Sequence, residues 1–391
     1  MPDLRVVVVD DSAFMRHAIS RVLREAGGIE VVGTARDGLE GLAVVRELRP
    51  DVVTLDVEMP VLDGLGLLHR LLRESPTRVV MLSSLTTDGA SVTLDALEHG
   101  AIDFVAKPSG ALSIDIGRVG QELAAKIRAA AAMSEASFLH HRRQALEAIA
   151  RAETTTDPGD DPAMGPNGSG WTTRPAVAVS QAPAAPSLSP VDAGACAARR
   201  LVVVASSTGG PRALQTFVEA LPSPLGAAVL LVQHMPAGFT TSLAARLDTA
   251  CRLPVAEARD GQVLAADRIL VAPGGRHLVV SGGGRVQLAG LPPVNGVRPA
   301  ADVTFQAVAT AWGPRLLAVV LTGMGVDGRD GAAAVRRHGG RVIAQDEATA
   351  TIYGMPAAVA EAGLADEILP LSAIPAAIAA WAGGGAAAER D

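Results

Sequence analysis

The chain has 391 residues, 49% of them apolar, and a formal net charge of −7, which points to two domains that each bury their own core. An acidic balance without long charged runs argues against nucleic acid and anionic membrane surfaces as partners. Cys196 and Cys251 stand far apart in no CxxC pattern, against a disulfide framework or a structural zinc site and in keeping with a reducing cytosol. No apolar run approaches the roughly 20 residues of a membrane span, and Met1–Arg5 leads into a strand-like run without a signal-peptide pattern. A cytoplasmic protein with no direct membrane insertion is expected.

From Arg5 to about Ala132, short Val-rich runs (Val6–Val9, Val31–Val32, Val52–Leu55, Val79–Leu82, Ile102–Val105) alternate with amphipathic stretches such as Ala13–Glu25, Gly38–Leu48, Gly64–Arg73 and Gly89–His99. Strands buried on both faces of a parallel sheet read this way, so the pattern predicts a five-stranded, doubly wound α/β domain of flavodoxin type. Polar residues follow the runs where such a fold opens its crevice: Asp10 and Asp11 after the first, Asp56 after the third, Ser83 after the fourth, Lys107 and Pro108 after the fifth. Each Asp has a plainer reading, as the cap of the next helix. Three carboxylates converging on one spot call for a cation, and oxygen-only ligands suit Mg²⁺. Together the set describes a phosphoryl acceptor in which Asp56 attacks, Mg²⁺ and Lys107 neutralise charge and Ser83 hydrogen-bonds the product.

At Val-Val-Val-Asp10-Asp11-Ser, Leu-Asp56-Val-Glu-Met-Pro-Val-Leu-Asp-Gly64, Met-Leu-Ser83-Ser and Phe104-Val-Ala-Lys107-Pro108 the chain resembles the receiver domain of two-component response regulators, over about its first 125 residues. The resemblance implies phosphorylation of Asp56 by a histidine kinase, and Mg²⁺ held by Asp11, Asp56 and the Glu58 backbone carbonyl with help from Asp10. It also makes Ser83 and Phe104 the switch pair, with Phe104 where many receivers have Tyr. The receiver domain is expected over residues 1–128.

An interdomain linker is expected over 129–198. Met133–Ala152 is helix-like, with His140-His141 and Arg142-Arg143 on a solvated face. A Pro/Gly/Ala/Ser-rich run then extends to Pro190, with too few large apolar residues to offset the entropy of ordering it. Trp171 has no evident role.

The second domain is expected over 199–385. Apolar runs recur at Leu201–Val204, Ala228–Val232, Ile269–Val271, Leu316–Leu321 and Val342–Ala344, with helix-like stretches at Pro211–Ala220, Phe239–Ala250, Val303–Trp312 and Asp330–His338. These predict a second, mainly parallel doubly wound sheet, joined by a β-hairpin over His277–Leu288. Ser207, His234 and Asp327 each follow a strand-like run and would share one edge of that sheet. Their types are those of a nucleophile, a base and an orienting acid, and backbone N–H groups at Thr208 and Met324 are placed to bind an oxyanion. Plainer readings stand beside this one: Ser207 as a helix cap, His234 as a core histidine, Asp327-Gly328 as a turn. Ser206 competes as nucleophile, His277 and His338 as bases and Asp330 as acid, although His338 precedes Gly339-Gly340 and reads as a helix end. There is no G-x-S-x-G elbow, no G-x-x-x-x-G-K-[ST] and no complete dinucleotide fingerprint. A receiver-controlled nucleotide- or phosphate-binding module is the alternative to an esterase.

Ala-Ser-Ser207-Thr-Gly-Gly-Pro, Gln-His234-Met-Pro-Ala-Gly-Phe, Val-Ala-Pro-Gly-Gly-Arg-His277, Pro-Pro-Val-Asn-Gly-Val-Arg-Pro and Leu-Thr-Gly-Met324-Gly-Val-Asp327-Gly resemble the catalytic domain of the chemotaxis protein-glutamate methylesterases. That resemblance implies a carboxylic ester hydrolase acting on glutamate γ-methyl esters of methyl-accepting chemoreceptors, with deamidation of receptor glutamines and no cofactor for the ester reaction. It makes Ser207 the nucleophile, His234 the base and Asp327 the third member. Ala205 stands where the family often has Gly, and Val326 where it often has Asn. In the family the unphosphorylated receiver covers the catalytic face, so phosphorylation of Asp56 is expected to raise activity.

Overall fold

The computed structural model describes residues 3–107, 113–154, 198–281 and 283–383. The first unit runs β1 (Leu4–Val9), α1 (Ala13–Glu25), β2 (Ile29–Ala35), α2 (Gly38–Leu48), β3 (Val52–Asp56), α3 (Gly64–Glu74), β4 (Arg78–Ser83), α4 (Thr87–Glu98), β5 (Asp103–Ala106) and α5 (Ser113–Ala132). Its sheet has the order β2-β1-β3-β4-β5, and every pairing is parallel. Val6–Val9 and Val52–Asp56 are buried throughout, as covering both faces with helices requires. The N-caps fall to Ser12, Asp37, Asp63 and Thr86, whose side chains accept from the first turns of α1, α2, α3 and α4. Asp10, Asp11 and Asp56 are therefore not needed as caps.

After α6 (Glu135–Thr154) come β6 (Leu201–Ser206), α7 (Gly210–Glu219), β7 (Ala228–Gln233), α8 (Phe239–Ala250), β8 (Val255–Glu257), β9 (Ile269–Val271), β10 (His277–Ser281), β11 (Arg285–Ala289), α9 (Ala301–Trp312), β12 (Leu316–Val320), α10 (Arg329–Arg337), β13 (Arg341–Gln345), α11 (Met355–Glu361), β14 (Glu367–Leu369) and α12 (Ile374–Gly383). The large sheet has the order β14-β13-β12-β6-β7-β9-β8, all parallel, and β10 pairs with β11 in a separate antiparallel hairpin. Strand order reverses at β6, which lies between β12 and β7. Loops leaving β6 and β12 in opposite senses open a crevice there, and ligand sites of doubly wound sheets sit in such crevices. The three-residue edge strands β8 (Val-Ala-Glu) and β14 (Glu-Ile-Leu) escape a reading from apolar runs because each carries a Glu, whereas the equally short β9 is wholly apolar.

The segment expected as linker begins with a helix that packs on the first unit. Arg142 Nε donates to Leu72 O at 2.7 Å, and His141 is buried, its Nε2 3.2 Å from Gly100 O. The solvated face expected for His140-His141 is thus half wrong: His141 points inward, and only His140 pairs with the polar neighbours Arg143 and Gln144. The Pro/Gly-rich run and Trp171 lie outside the described residues.

The two units share a packed interface. Phe104 stacks on Phe239 with ring centroids 4.6 Å apart, α4 lies against α7 and α8, and Ile352 packs against the core of the first unit. Arg246 of α8 reaches Asp95 and Glu98 of α4 at 2.5 and 2.8 Å, and Arg212 of α7 donates to His141 O at 3.3 Å. His99 and His141 lie beside this junction, near Arg212, and His69 stands behind them, 3.1 Å from His99. Burial depresses all three imidazoles, His69 to about 4 with help from His99, and His141 to about 3 with help from Arg212. The unfolded chain takes up these protons near 6.5 and the folded one does not, so the stability they contribute is present above that pH and lost as pH falls toward 4. Asp56 and Asp302, both raised to about 6, titrate in the same window with the opposite sign. The readout is therefore a difference: between pH 7 and pH 5 the melting temperature should fall several degrees more in the native chain than in a His69→Gln/His141→Gln variant. Equal falls would remove the histidines as the cause.

Candidate active sites

In the first unit, Asp10, Asp11 and Asp56 bring carboxylate oxygens within 4.8 Å of one another at the ends of β1 and β3. Lys107, just past β5, places Nζ 2.6 Å from Asp56 Oδ2 and 2.9 Å from Asp10 Oδ2. Burial raises Asp56 to about 6 against the pull of Lys107, while the same carboxylates hold the Lys107 ammonium above its ordinary value although burial opposes them. Two buried carboxylates sharing one ammonium, with the exposed Asp11 carboxylate beside them, leave a surplus of negative charge at the strand ends, which a hard divalent cation fits. Asp10 Oδ2, buried and without an aligned hydrogen bond, retains a lone pair for it. The Glu58 backbone N–H lies 3.4 Å from Asp56 Oδ1, which brings that peptide to the rim of the cluster.

Ser83 is wholly buried and turned away from Asp56: its Oγ accepts from Thr93 Oγ1 at 2.6 Å and lies 3.2 Å from Gly89 O, both in α4. Next to the stacked Phe104, Asp103 is gripped by Lys126 Nζ at 3.2 Å, and its second oxygen accepts from Thr208 Oγ1 at 2.5 Å. Asp103 is thus a residue that sequence reasoning missed; a carboxylate at the first residue of a strand gave no sign of reaching another domain.

At the crevice of the large sheet, Ser207 follows β6, His234 follows β7, and Asp327 lies in the loop between β12 and α10. The loop that carries Ser207 is fixed by its backbone. Ser207 N–H donates to Thr322 O at 3.0 Å, and Ser207 O accepts from Gly210 N and from Gln233 Nε2 at 2.8 and 2.9 Å. Gln233 also donates to His234 O and accepts from Ser206 Oγ, so one buried amide ties the Ser loop to the His loop. Sequence reading passed over it as the last residue of a strand. Gly209, at φ +75°, has Thr351 where a Cβ would go, and a Cβ on Gly323 would fall 2.8 Å from that of Ser207.

His234 Nε2 lies 2.7 Å from Asp327 Oδ2, leaving Nδ1 as the basic nitrogen. Among the described residues no hydrogen bond joins Ser207 to His234, and none uses the N–H of Thr208 or Met324. Asp327 is buried and accepts from four donors: His234 Nε2 and Ala301 N on Oδ2, Asp302 N and Asn295 Nδ2 on Oδ1. Burial works to raise its carboxyl, but these donors outweigh it and hold the group at about 2.

The rivals are otherwise engaged. Ser206 is wholly buried against Gln233. His277 is also wholly buried, with Nδ1 accepting from Ala300 N and Nε2 at 3.0 Å from Pro292 O. His338 closes α10, and Asp330 is exposed and paired with Arg329. Asn295, which lies in the Pro-Pro-Val-Asn-Gly-Val-Arg-Pro stretch but was given no role there, and Asp302, which no motif pointed to, stand directly behind Asp327.

No helix among the described residues is long and apolar enough to cross a membrane. The chain matches the family models for the CheB methylesterase over residues 202–378 and for the response regulator receiver domain over residues 6–114. A protein-glutamate methylesterase/protein-glutamine glutaminase of Symbiobacterium thermophilum is 46% identical over 98% of this chain and 98% of its own. One from Geobacillus kaustophilus is 43% identical over 97% of this chain and 98% of its own. The crystal structure of the Thermotoga maritima CheB methylesterase catalytic domain is 44% identical, with a TM-score of 0.45, over 46% of this chain and 97% of that one. A receiver fold followed by a crevice holding Ser207, His234 and Asp327, in a sequence alike over its whole length, places the chain in the family of receiver-linked protein-glutamate methylesterases/protein-glutamine glutaminases.

Proposed function

We propose that the chain is a cytoplasmic, phosphorylation-controlled serine esterase that hydrolyses glutamate γ-methyl esters on methyl-accepting chemoreceptors and deamidates receptor glutamines. The observation that carries this reading is the buried His234–Asp327 pair, 2.7 Å apart, at the strand ends beside Ser207. Ser207 attacks the ester carbonyl as His234 Nδ1 takes its proton; Asp327 holds the tautomer and stabilises the imidazolium. The unspent N–H groups of Thr208 and Met324 receive the oxyanion, aided by the N-terminus of α7. The imidazolium returns its proton to the departing methoxide, and water activated by the same imidazole releases the acyl group.

In the receiver, Asp56 is the phosphoacceptor for a histidine kinase. Asp11, Asp56 and the Glu58 carbonyl, helped by Asp10, would hold Mg²⁺, which supplies charge neutralisation for phosphoryl transfer. Lys107 steadies the transferred group, and Ser83 turns from α4 toward the new phosphate. Phe104 follows Ser83, and the contacts of β5 and α4 with the catalytic domain loosen. Thr208, one residue from the nucleophile, is held by the receiver through Asp103, which supports control by access.

The test uses the full-length chain on methylated chemoreceptor, with methanol release as readout. A small phosphodonor with Mg²⁺ should raise the rate several-fold. Asp56→Ala should keep the basal rate and lose the response. Absence of methanol release from the native chain under both conditions would sink the esterase reading, and an intact response in Asp56→Ala would sink the phosphoacceptor assignment.

A further inference from the structure

The geometry points to Asn295 as a positioning residue of the esterase, whose side-chain amide separates two buried carboxylates and so keeps Asp327 aimed at His234. This rests on the esterase reading above. Asn295 Nδ2 lies 3.0 Å from Asp327 Oδ1 and 2.9 Å from Asp302 Oδ2, so its two N–H bonds span the pair. Asp302 is itself buried, and its other oxygen accepts from Gly328 N and Gly331 N at 3.0 and 2.6 Å.

Two carboxylates this close ordinarily share a proton, because both cannot ionise in a site with little solvent. Burial, with Asp327 nearby, pushes Asp302 up to about 6, so it is the member ready to take that proton. A proton lying between them would turn Asp327 Oδ1 into a partner of Asp302 and weaken its negative charge toward His234. An amide in that place supplies two donors and no titratable hydrogen. Asn295 comes from an exposed loop and sits at φ +53°, a left-handed conformation that Asn tolerates better than most residues. The other titratable groups that act on the pair are His234 beyond β7, bonded to Asp327, and Asp330 at the start of α10, whose negative charge adds to that around Asp302.

Asn295→Gly keeps the left-handed turn and removes only the amide. In full-length protein on methylated receptor, kcat should fall about tenfold or more with KM little changed, and the acidic limb of the kcat pH profile should move to higher pH. Adding Asp302→Asn, which removes the competing carboxylate, should restore most of the lost rate and return the limb. An unchanged kcat in Asn295→Gly overturns the inference. So does a fall in kcat with an unmoved acidic limb, or a double variant no better than the single one, since either leaves only a loop-folding role. A native chain that releases no methanol is a failure of the esterase reading, and it is distinguished because the native chain is the reference in every assay.

Discussion

Ser207→Ala should reduce methanol release from methylated receptor by roughly 10⁴-fold or more, the scale on which loss of a triad nucleophile acts elsewhere. No neighbour can take over. Ser206 is sealed against Gln233 on the far side of the strand end, and Thr208 gives its hydroxyl to Asp103 and its carbonyl to Thr322. The loop is pinned by hydrogen bonds to Thr322, Gly210 and Gln233, so loss of one hydroxyl should leave the fold untouched. The same variant should therefore accept phosphate on Asp56 at the native rate. Methanol release within tenfold of native would remove Ser207 as nucleophile.

Asp327→Asn should cost about 10³- to 10⁴-fold in kcat with little change in KM, by the tautomer argument that governs the Asp of other triads. The surroundings make this substitution harsher than its size suggests. All four partners of Asp327 are donors, two on each oxygen. Whichever way a carboxamide turns, its NH₂ faces either Asn295 Nδ2 and the Asp302 N–H, or His234 Nε2 and the Ala301 N–H. In the second case the imidazole must present Nε2 as acceptor and hold its proton on Nδ1, which disarms it as a base. Retention of more than about a tenth of native kcat would mean that Asp327 does not orient His234.

Much of this was legible because doubly wound sheets place polar residues at strand ends. Val-rich runs marked β1, β3, β4, β6 and β7; the residue directly after the run nominated Asp10, Asp56 and Ser83, while Ser207 and His234 lie a few residues beyond theirs, in polar loops where Ser206 competed. Family membership sets aside the nucleotide-binding alternative. What stayed hidden were residues whose part depends on a distant partner and whose own type at that place announces no chemistry. His141 looked solvated because one helix turn does not show what packs on it. Asn295 lies in the Pro-Pro-Val-Asn-Gly-Val-Arg-Pro stretch, and nothing in it shows that the amide reaches two aspartates from later segments. Asp103 and Arg246 carry no motif at all, since an interface between domains is written in two stretches that are each unremarkable alone.

One feature of β5 bears on the energetics of signalling. Asp103 and Phe104 are consecutive at the start of β5; the first holds Thr208 and the second stacks on Phe239, so the strand proposed to follow the phosphate begins against the catalytic domain. If phosphorylation weakens domain docking, as proposed, the coupling is thermodynamically reciprocal: the factor by which phosphorylation weakens docking is the factor by which docking disfavours the phosphorylated receiver. At the 5- to 150-fold scale typical of such couplings, about 1–3 kcal/mol, the catalytic domain acts as a load on its own sensor. The phosphodonor level needed for half-activation is then set partly by the esterase, and mutations that loosen the interface lower that threshold as they raise the basal rate.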